Sequence, residues 1–317
     1  MKKTRVLALL LALTLLLCAC GAKKTPLEQT AAYLRKSTPE PTFGSLIGDW
    51  TVFGLARSDV KVPANYYETY YKNVTAAVTE AGGRLSETKY TEYSRLVLAL
   101  TAIGRDPRDV GGYDLLMPLA DLDRTTAQGV NGAIFALLAL DSGSYEIPEN
   151  PDAAVQATRE GYVTDILSRQ NEDGGWSLAG GTSDVDLTAM ALQALAKYRS
   201  DAAASGAVER GLAWLAWEQE PDGTFISWDT VSSESVSQVI VALTELGISL
   251  DDERFVKNGQ TLLQVLERFA CEDGSYRHTL NGSSDEMATE QAFYALAAIH
   301  RAEAGETTLY DMTDVMQ

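Results

Sequence analysis

Residues 170–176 read Gln-Asn-Glu-Asp-Gly-Gly-Trp, and residues 219–225 read Gln-Glu-Pro-Asp-Gly-Thr-Phe; Asp273-Gly274-Ser275-Tyr276 repeats the second half of the phrase. The Asp-Gly pairs stand 49 and 51 residues apart, and recurrence at such a period marks a repeat architecture. Asp-Gly makes a tight turn with a left-handed residue, and helix C-termini favour Gly there. The aromatic that follows is placed to pack between neighbouring repeats. Each phrase therefore predicts the end of one helix and a sharp turn toward the next.

Working outward, five segments share an apolar run ending near Ala-Leu: Tyr93–Gly104, Asn131–Leu140, Asp186–Tyr198, Ser235–Gly247 and Thr289–His300. Trp50–Arg57 is a weaker sixth copy. Between them, Pro26–Lys36, Ala64–Ala81, Tyr113–Asp121, Gly161–Gln170, Ala203–Gln219 and Arg254–Phe269 carry one-sided apolar stripes. Runs apolar all round belong to helices covered on every side, and one-sided stripes to helices with a wet face. Six dry helices alternating with six wet ones pack economically as two concentric rings, dry inside. The expected fold is thus all-α, an (α/α)6 toroid with six inner and six outer helices.

The repeated Gln-x-x-x-Gly-x-Trp/Phe phrase resembles the repeat motif of squalene cyclases and protein prenyltransferases. Two copies match it fully, and the third has Ala270 in place of Gln. The resemblance covers residues 25–301 and implies the same α/α toroid. Residues 302–317 are left as a polar C-terminal tail, an outer strap or a loose end, without an assigned role.

The chain starts MKKTRVLALLLALTLLLCAC, with Lys2, Lys3 and Arg5 ahead of an apolar run from Val6 to Leu17. Such a run is too short for a permanent span and suits the core of a secretory signal. Leu17-Cys18-Ala19-Cys20-Gly21 resembles a bacterial lipobox, which implies a signal peptide of residues 1–19 and a lipid on Cys20. Residues 20–24 form the linker. The protein is then expected on the outer face of the bacterial cell membrane, held by acyl chains. With Cys18 removed and Cys20 acylated, only Cys271 remains as a thiol, so no intrachain disulfide is expected in the mature chain.

Lys and Arg number 26 against 44 Asp and Glu, a net charge of -18, and a field of that sign repels phosphate backbones. Nucleic acid is excluded as a partner. With two His in the chain, Cys271, His278 and His300 are too few for a transferase-type zinc centre, so no metal and no cofactor is expected. A monomer is the expected state.

The sharpest chemical signal is Asp184-Val185-Asp186-Leu187-Thr188-Ala189. It looks like the squalene–hopene cyclase acid motif Asp-x-Asp-Asp-Thr-Ala, which implies Asp186 as proton donor with Asp184 beside it. The third Asp of that motif is Leu187 here. A competing account is helix capping: Ser183-x-x-Asp186, Thr125-x-x-Gln128 and Ser283-x-x-Glu286 all read as capping-box variants. The inner-helix pattern from Asp186 to Ala191 also resembles that of intrinsic factor and transcobalamin, which implies cobalamin-like binding without catalysis.

Aligning the repeats on Ala-Leu places polar groups at three recurring offsets on one helical face. Arg95, Gln128, Asn131, Asp186, Glu234, Gln238, Glu290 and Gln291 then form a hydrogen-bonding rim if that face lines the axis. Tyr90, Tyr93, Trp228, Phe293 and Tyr294 are its apolar neighbours. The favoured reading is a surface-anchored toroid that binds a small molecule or a peptide segment without catalysis. Terpene cyclisation by Asp186, and an acidic envelope scaffold, stand as alternatives.

Overall fold

The Ala-Leu runs coil into α2 (Trp50–Arg57), α4 (Thr91–Ala102), α6 (Val130–Ser142), α8 (Val185–Leu195), α10 (Ser233–Glu245) and α12 (Glu286–Ala304). This computed structural model describes residues 24–315, so the leader with Cys18 and Cys20 lies outside the described residues. Each of these helices packs on the next, and α12 packs back on α2, closing an inner ring. Nearly every residue of α6 and α10 is buried, as all-round apolar composition demands.

The outer ring consists of α1 (Pro26–Ser37), α3 (Ala64–Glu80), α5 (Leu122–Thr126), α7 (Arg159–Ser168), α9 (Ala202–Glu218) and α11 (Leu262–Glu267). One-sided burial is clearest on α3, where Tyr66, Tyr70, Val74 and Val78 recur every four residues. Capping fixes the outer starts. Thr25 with Glu28, and Thr261 with Gln264, make full capping boxes, and Thr158 and Asp201 cap α7 and α9.

Two outer segments differ from expectation. Tyr113–Asp121 is turns and one 3-10 turn, and the helix at that place in the ring is the five-residue α5. Its stripe is genuine, since Leu115, Leu116 and Leu119 are buried, but Pro118 lacks the amide a helix interior needs. Within Arg254–Phe269 only Leu262–Glu267 is α-helical, because Asn258 and Gly259 both take positive φ and turn the chain back.

The repeated phrases hold the wall together. Gln170 Nε2 donates to the carbonyls of Gly174 and Ala207, both at 2.8 Å, and so ties its own loop to α9. Gln219 does the same toward Gly223 at 3.0 Å and Phe255 at 3.1 Å. Trp176, Phe225 and Tyr276 are buried behind these loops. The third loop, which lacks the Gln, seats on α1: a Cβ on Gly274 would stand 2.6 Å from the carbonyl oxygen of Gln29, at φ +92°. Strain and contact act together there, so Gly274→Ala is expected to cost about 2 kcal/mol or more in chemical unfolding. An unchanged midpoint would mean that this seam carries no stability.

Residues beyond α12 form a strap across the C-terminal end of the ring. Gly305 ends the helix in the left-handed conformation, and Leu309, Tyr310 and Met312 are buried. The guanidinium of Arg57, itself 1% exposed, donates to Asp314, to Thr307 Oγ1 and to the carbonyls of Thr308, Leu309 and Asp311. Arg301 donates to Thr307 and Asp314. His300 does not close α12, which runs on for four more residues; its ring faces Asp59 at 3.6 Å.

Candidate functional site

Trp50, Phe135, Met190, Gln238, Gln291 and Tyr294 come from five inner helices and line one axial cavity of about 120 Å³. Leu46, Met287, Glu290 and Tyr310 complete its wall. The lining face is therefore the one on which the polar offsets recur. Asn131, Asp186, Glu234 and Met287 each precede a lining residue by four, so they stand on the same face one turn nearer the helix N-termini. That end of the ring is the mouth.

The axis itself is largely filled by rings. Trp50 packs on Phe53, Phe135 and Tyr294 at centroid distances of 5.7 to 5.9 Å, and Phe53 stacks on Tyr310 at 5.5 Å. Beside this cluster, Gln193 Nε2 donates to Gln238 Oε1 at 2.9 Å, and Gln238 donates in turn to Gln291 Oε1 and the Tyr294 hydroxyl.

At the mouth, Asp184 is the cap of α8: its Oδ1 accepts from Leu187 N at 3.0 Å. The capping reading thus belongs to Asp184, and Ser183 instead donates to Asp173. Likewise Asp285, not Ser283, caps α12, and α6 starts at Gly129 without a side-chain cap. Freed of that duty, Asp186 lies beside Asp184, and the Ser227 hydroxyl bridges them, 2.6 Å from Asp184 Oδ2 and 3.3 Å from Asp186 Oδ2. Asp186 Oδ1 is buried without a hydrogen-bond partner. Burial and the neighbouring Asp184 charge push the Asp186 carboxyl up to about 6, against the pull of the Ser235 and Ser227 hydroxyls.

Ser227 reaches the pair because it starts a two-residue hairpin, Ile226–Ser227 against Thr230–Val231, just ahead of α10. Trp228 and Asp229 both take positive φ in its turn, which leaves the indole of Trp228 78% exposed. Leu178, Ile226 and Met287 are other exposed apolar side chains at this end; the Leu178 carbonyl accepts from Val130 N at the start of α6.

Of the remaining rim positions, Arg95, Gln128, Glu234 and Glu290 have structural partners. Arg95 is buried and paired with Asp49 at 2.7 Å and with Glu92; Asp49 also accepts from the Tyr70 hydroxyl, which ties the inner ring to α3. Gln128 accepts from Thr91 N at 3.0 Å, bridging to α4. Glu290 is buried and accepts from Thr51. Glu234 is buried against His278 Nδ1 at 2.8 Å and Ser233 Oγ at 3.1 Å. Asn131 is half-buried, with Oδ1 lacking a partner. Tyr93 lies away from the axis; with Tyr90 it lines an open peripheral groove, and its hydroxyl accepts from Leu85 N. Ser227, which the sequence reading passed over, follows a fully matched repeat phrase by two residues, and that spacing is the one signal that could have flagged it. Cys271 is a half-buried free thiol, and among the described residues no three His, Cys, Asp or Glu side chains gather as metal ligands.

No protein-family model matches the chain. The drimenyl diphosphate synthase of Streptomyces showdoensis is 32% identical to it over 164 residues, which is 50% of this chain and 29% of that enzyme. The chain thus spans less than a third of that relative's length. Among solved structures, unsaturated glucuronyl hydrolase from Bacillus sp. GL1 aligns with a TM-score of 0.58 at 15% identity, covering 90% of this chain and 97% of that one. Candida albicans protein geranylgeranyltransferase-I in complex with GGPP gives 0.57 at 11% identity over 90% and 93%. A type II terpene cyclase from Scytonema, in complex with merosterolic acid A, gives 0.56 at 12% identity over 88% and 96%. The chain therefore has the α/α toroid fold that these solved structures share.

Proposed function

We propose that this protein is an exported, lipid-anchored toroid that captures a small molecule or peptide segment at the mouth of its inner ring without transforming it. The observation that carries the reading is a contrast of space. The axial cavity holds about 120 Å³, whereas small-molecule sites run from roughly 300 to 1,000 Å³. The mouth, in contrast, offers Trp228, Leu178 and Met287 to solvent beside two buried acceptors without partners, on Asp186 and Asn131. Exposed apolar side chains rimmed by polar groups mark interaction sites. Asp184, Asp186 and Glu234 give the mouth a negative field, so a neutral or cationic ligand is favoured over a phosphorylated one.

A thermal-shift screen of corrinoids, isoprenoid alcohols, glycans and peptides tests this. A hit whose shift disappears in Trp228→Ala is expected, and silence across all four classes overturns the reading. Anchoring through Cys20 predicts palmitate labelling in the bacterial host that Cys20→Ala abolishes and Cys18→Ala leaves intact.

One observation favours a second reading, acid-catalysed cyclisation. A carboxyl held near 6 next to a hydrogen-bonded partner carboxylate is a suitable proton donor, and the similar synthase is an enzyme. Incubation with squalene and shorter polyprenyl substrates decides: product lost in Asp186→Asn supports catalysis, and no product removes it.

A further inference from the structure

At the end of the ring opposite the mouth, α10, α11 and α12 leave a basin of about 630 Å³, within the size range of small-molecule sites. It exists because the outer layer is thin there: α11 has only six residues, and the chain ahead of it runs in turns. Gly247 and Gly305 close α10 and α12 at φ +66° and +69°. Each folds the next residue back over its helix, with Ile248 N donating to Leu243 O at 2.8 Å and Glu306 N to Arg301 O at 3.0 Å. Ile248, Leu250, Leu263 and Ile299 form an apolar floor.

The rim is acidic. Asp251, Glu303 and Glu306 line it, and no Lys, Arg or His does. Glu306 is paired with the buried Arg301 at 3.0 Å, whereas Asp251 and Glu303 are exposed and make no ion pair among the described residues. The C-termini of α10 and α12 add the negative ends of two helix dipoles. The one N-terminus present, that of α11, is closed by its own Thr261–Gln264 capping box. We infer that this basin binds a cationic amphiphile, with an alkyl chain on the floor and an ammonium group at the rim beside Asp251 and Glu303. The site shares no residue with the mouth, so silence in the screen of the mouth leaves it standing.

Octylammonium is the probe, titrated by calorimetry into the intact protein, with octanol and octanoate as its neutral and anionic counterparts. Octylammonium is expected to bind at least tenfold more tightly than octanol, and octanoate not at all. Decylammonium is expected to bind about tenfold more tightly still, since each buried methylene tightens binding roughly two- to fourfold. Asp251→Asn combined with Glu303→Gln is expected to erase the preference for the ammonium over the alcohol. Ala302 lines the basin from an exposed position on α12, so Ala302→Trp is expected to fill the space and abolish binding without disturbing the circular dichroism. Trp228→Ala, at the other end of the ring, is expected to change nothing. Equal affinity for octylammonium and octanol in the parent, or no binding of octylammonium, overturns the proposal. Binding that survives Ala302→Trp is adsorption to an acidic surface and overturns it too, as does binding lost in Trp228→Ala.

Discussion

Arg57→Met is expected to lower the unfolding free energy by about 3–5 kcal/mol, the usual loss when one partner of a buried ion pair is removed. Met fills much of the same volume, so the loss comes from unmet polar groups. Asp314 would lose one of its two guanidinium partners, and the carbonyls of Thr308, Leu309 and Asp311 would be left without this donor. Burial already depresses the Arg57 pKa, with the Arg301 charge adding to it and Asp314 opposing. Arg57→Lys keeps the charge without the planar fork, so it should recover part of the loss. Urea unfolding monitored by circular dichroism reads both. A loss under about 1 kcal/mol in Arg57→Met would show that the strap adds little to the fold.

The second large effect concerns pH. The Asp186 carboxyl sits at about 6 in the folded chain against 3.8 ordinarily, so the folded state holds its proton more tightly than the unfolded one. Below about pH 3 both states are protonated and nothing is lost. As pH rises from 4 to 6 the unfolded chain ionises first, and the fold loses stability until both are charged. At roughly 1.4 kcal/mol per pKa unit, the penalty above pH 6 is about 3 kcal/mol. Asp186→Asn removes it. The variant should match the parent near pH 4 and exceed it by about 1–3 kcal/mol at pH 7.5. A difference that stays flat with pH would mean that Asp186 ionises like an exposed carboxylate. A residue that destabilises its own fold at neutral pH is of the kind retained at working sites.

The inner ring was legible because its signal is redundant: six runs, one alignment, and three turn phrases that fix where the last three outer helices end. The outer ring was legible only in part. Apolar residues that face a core from turns leave the same stripe as a helix, as Leu115, Leu116 and Leu119 do. Pro118 and Asn258-Gly259 were the breakers, and they were visible. Asp184 and Asp186 could be named from their motif, yet which of them caps the helix depended on a one-residue shift of its start. The bridge from Ser227 was hidden because its hairpin turns on Trp228-Asp229, which lacks the usual Asn-Gly or Asp-Gly signature. Arg95 read as a rim residue because its partner, Asp49, lies just ahead of the weakest repeat, whereas Glu290 does line the axial cavity. The C-terminal stretch could be read only as an outer strap or a loose tail, because its sequence is polar and only Leu309, Tyr310 and Met312 go inward.

The seating of Gly274 on Gln29 also bears on the order in which the molecule can assemble. The first described helix, α1, finds its neighbour only after about 240 further residues have followed, and the Tyr33–Ser284 contact spans 251 positions. Pairings so remote in sequence are slow to form. During that interval α1 has its apolar stripe uncovered, and a nascent or truncated chain is an open arc with two bare ends that invite aggregation or a second copy. Loss of α1 itself would therefore reopen the seam and expose both flanks of the arc, a far larger disturbance than the twelve residues removed.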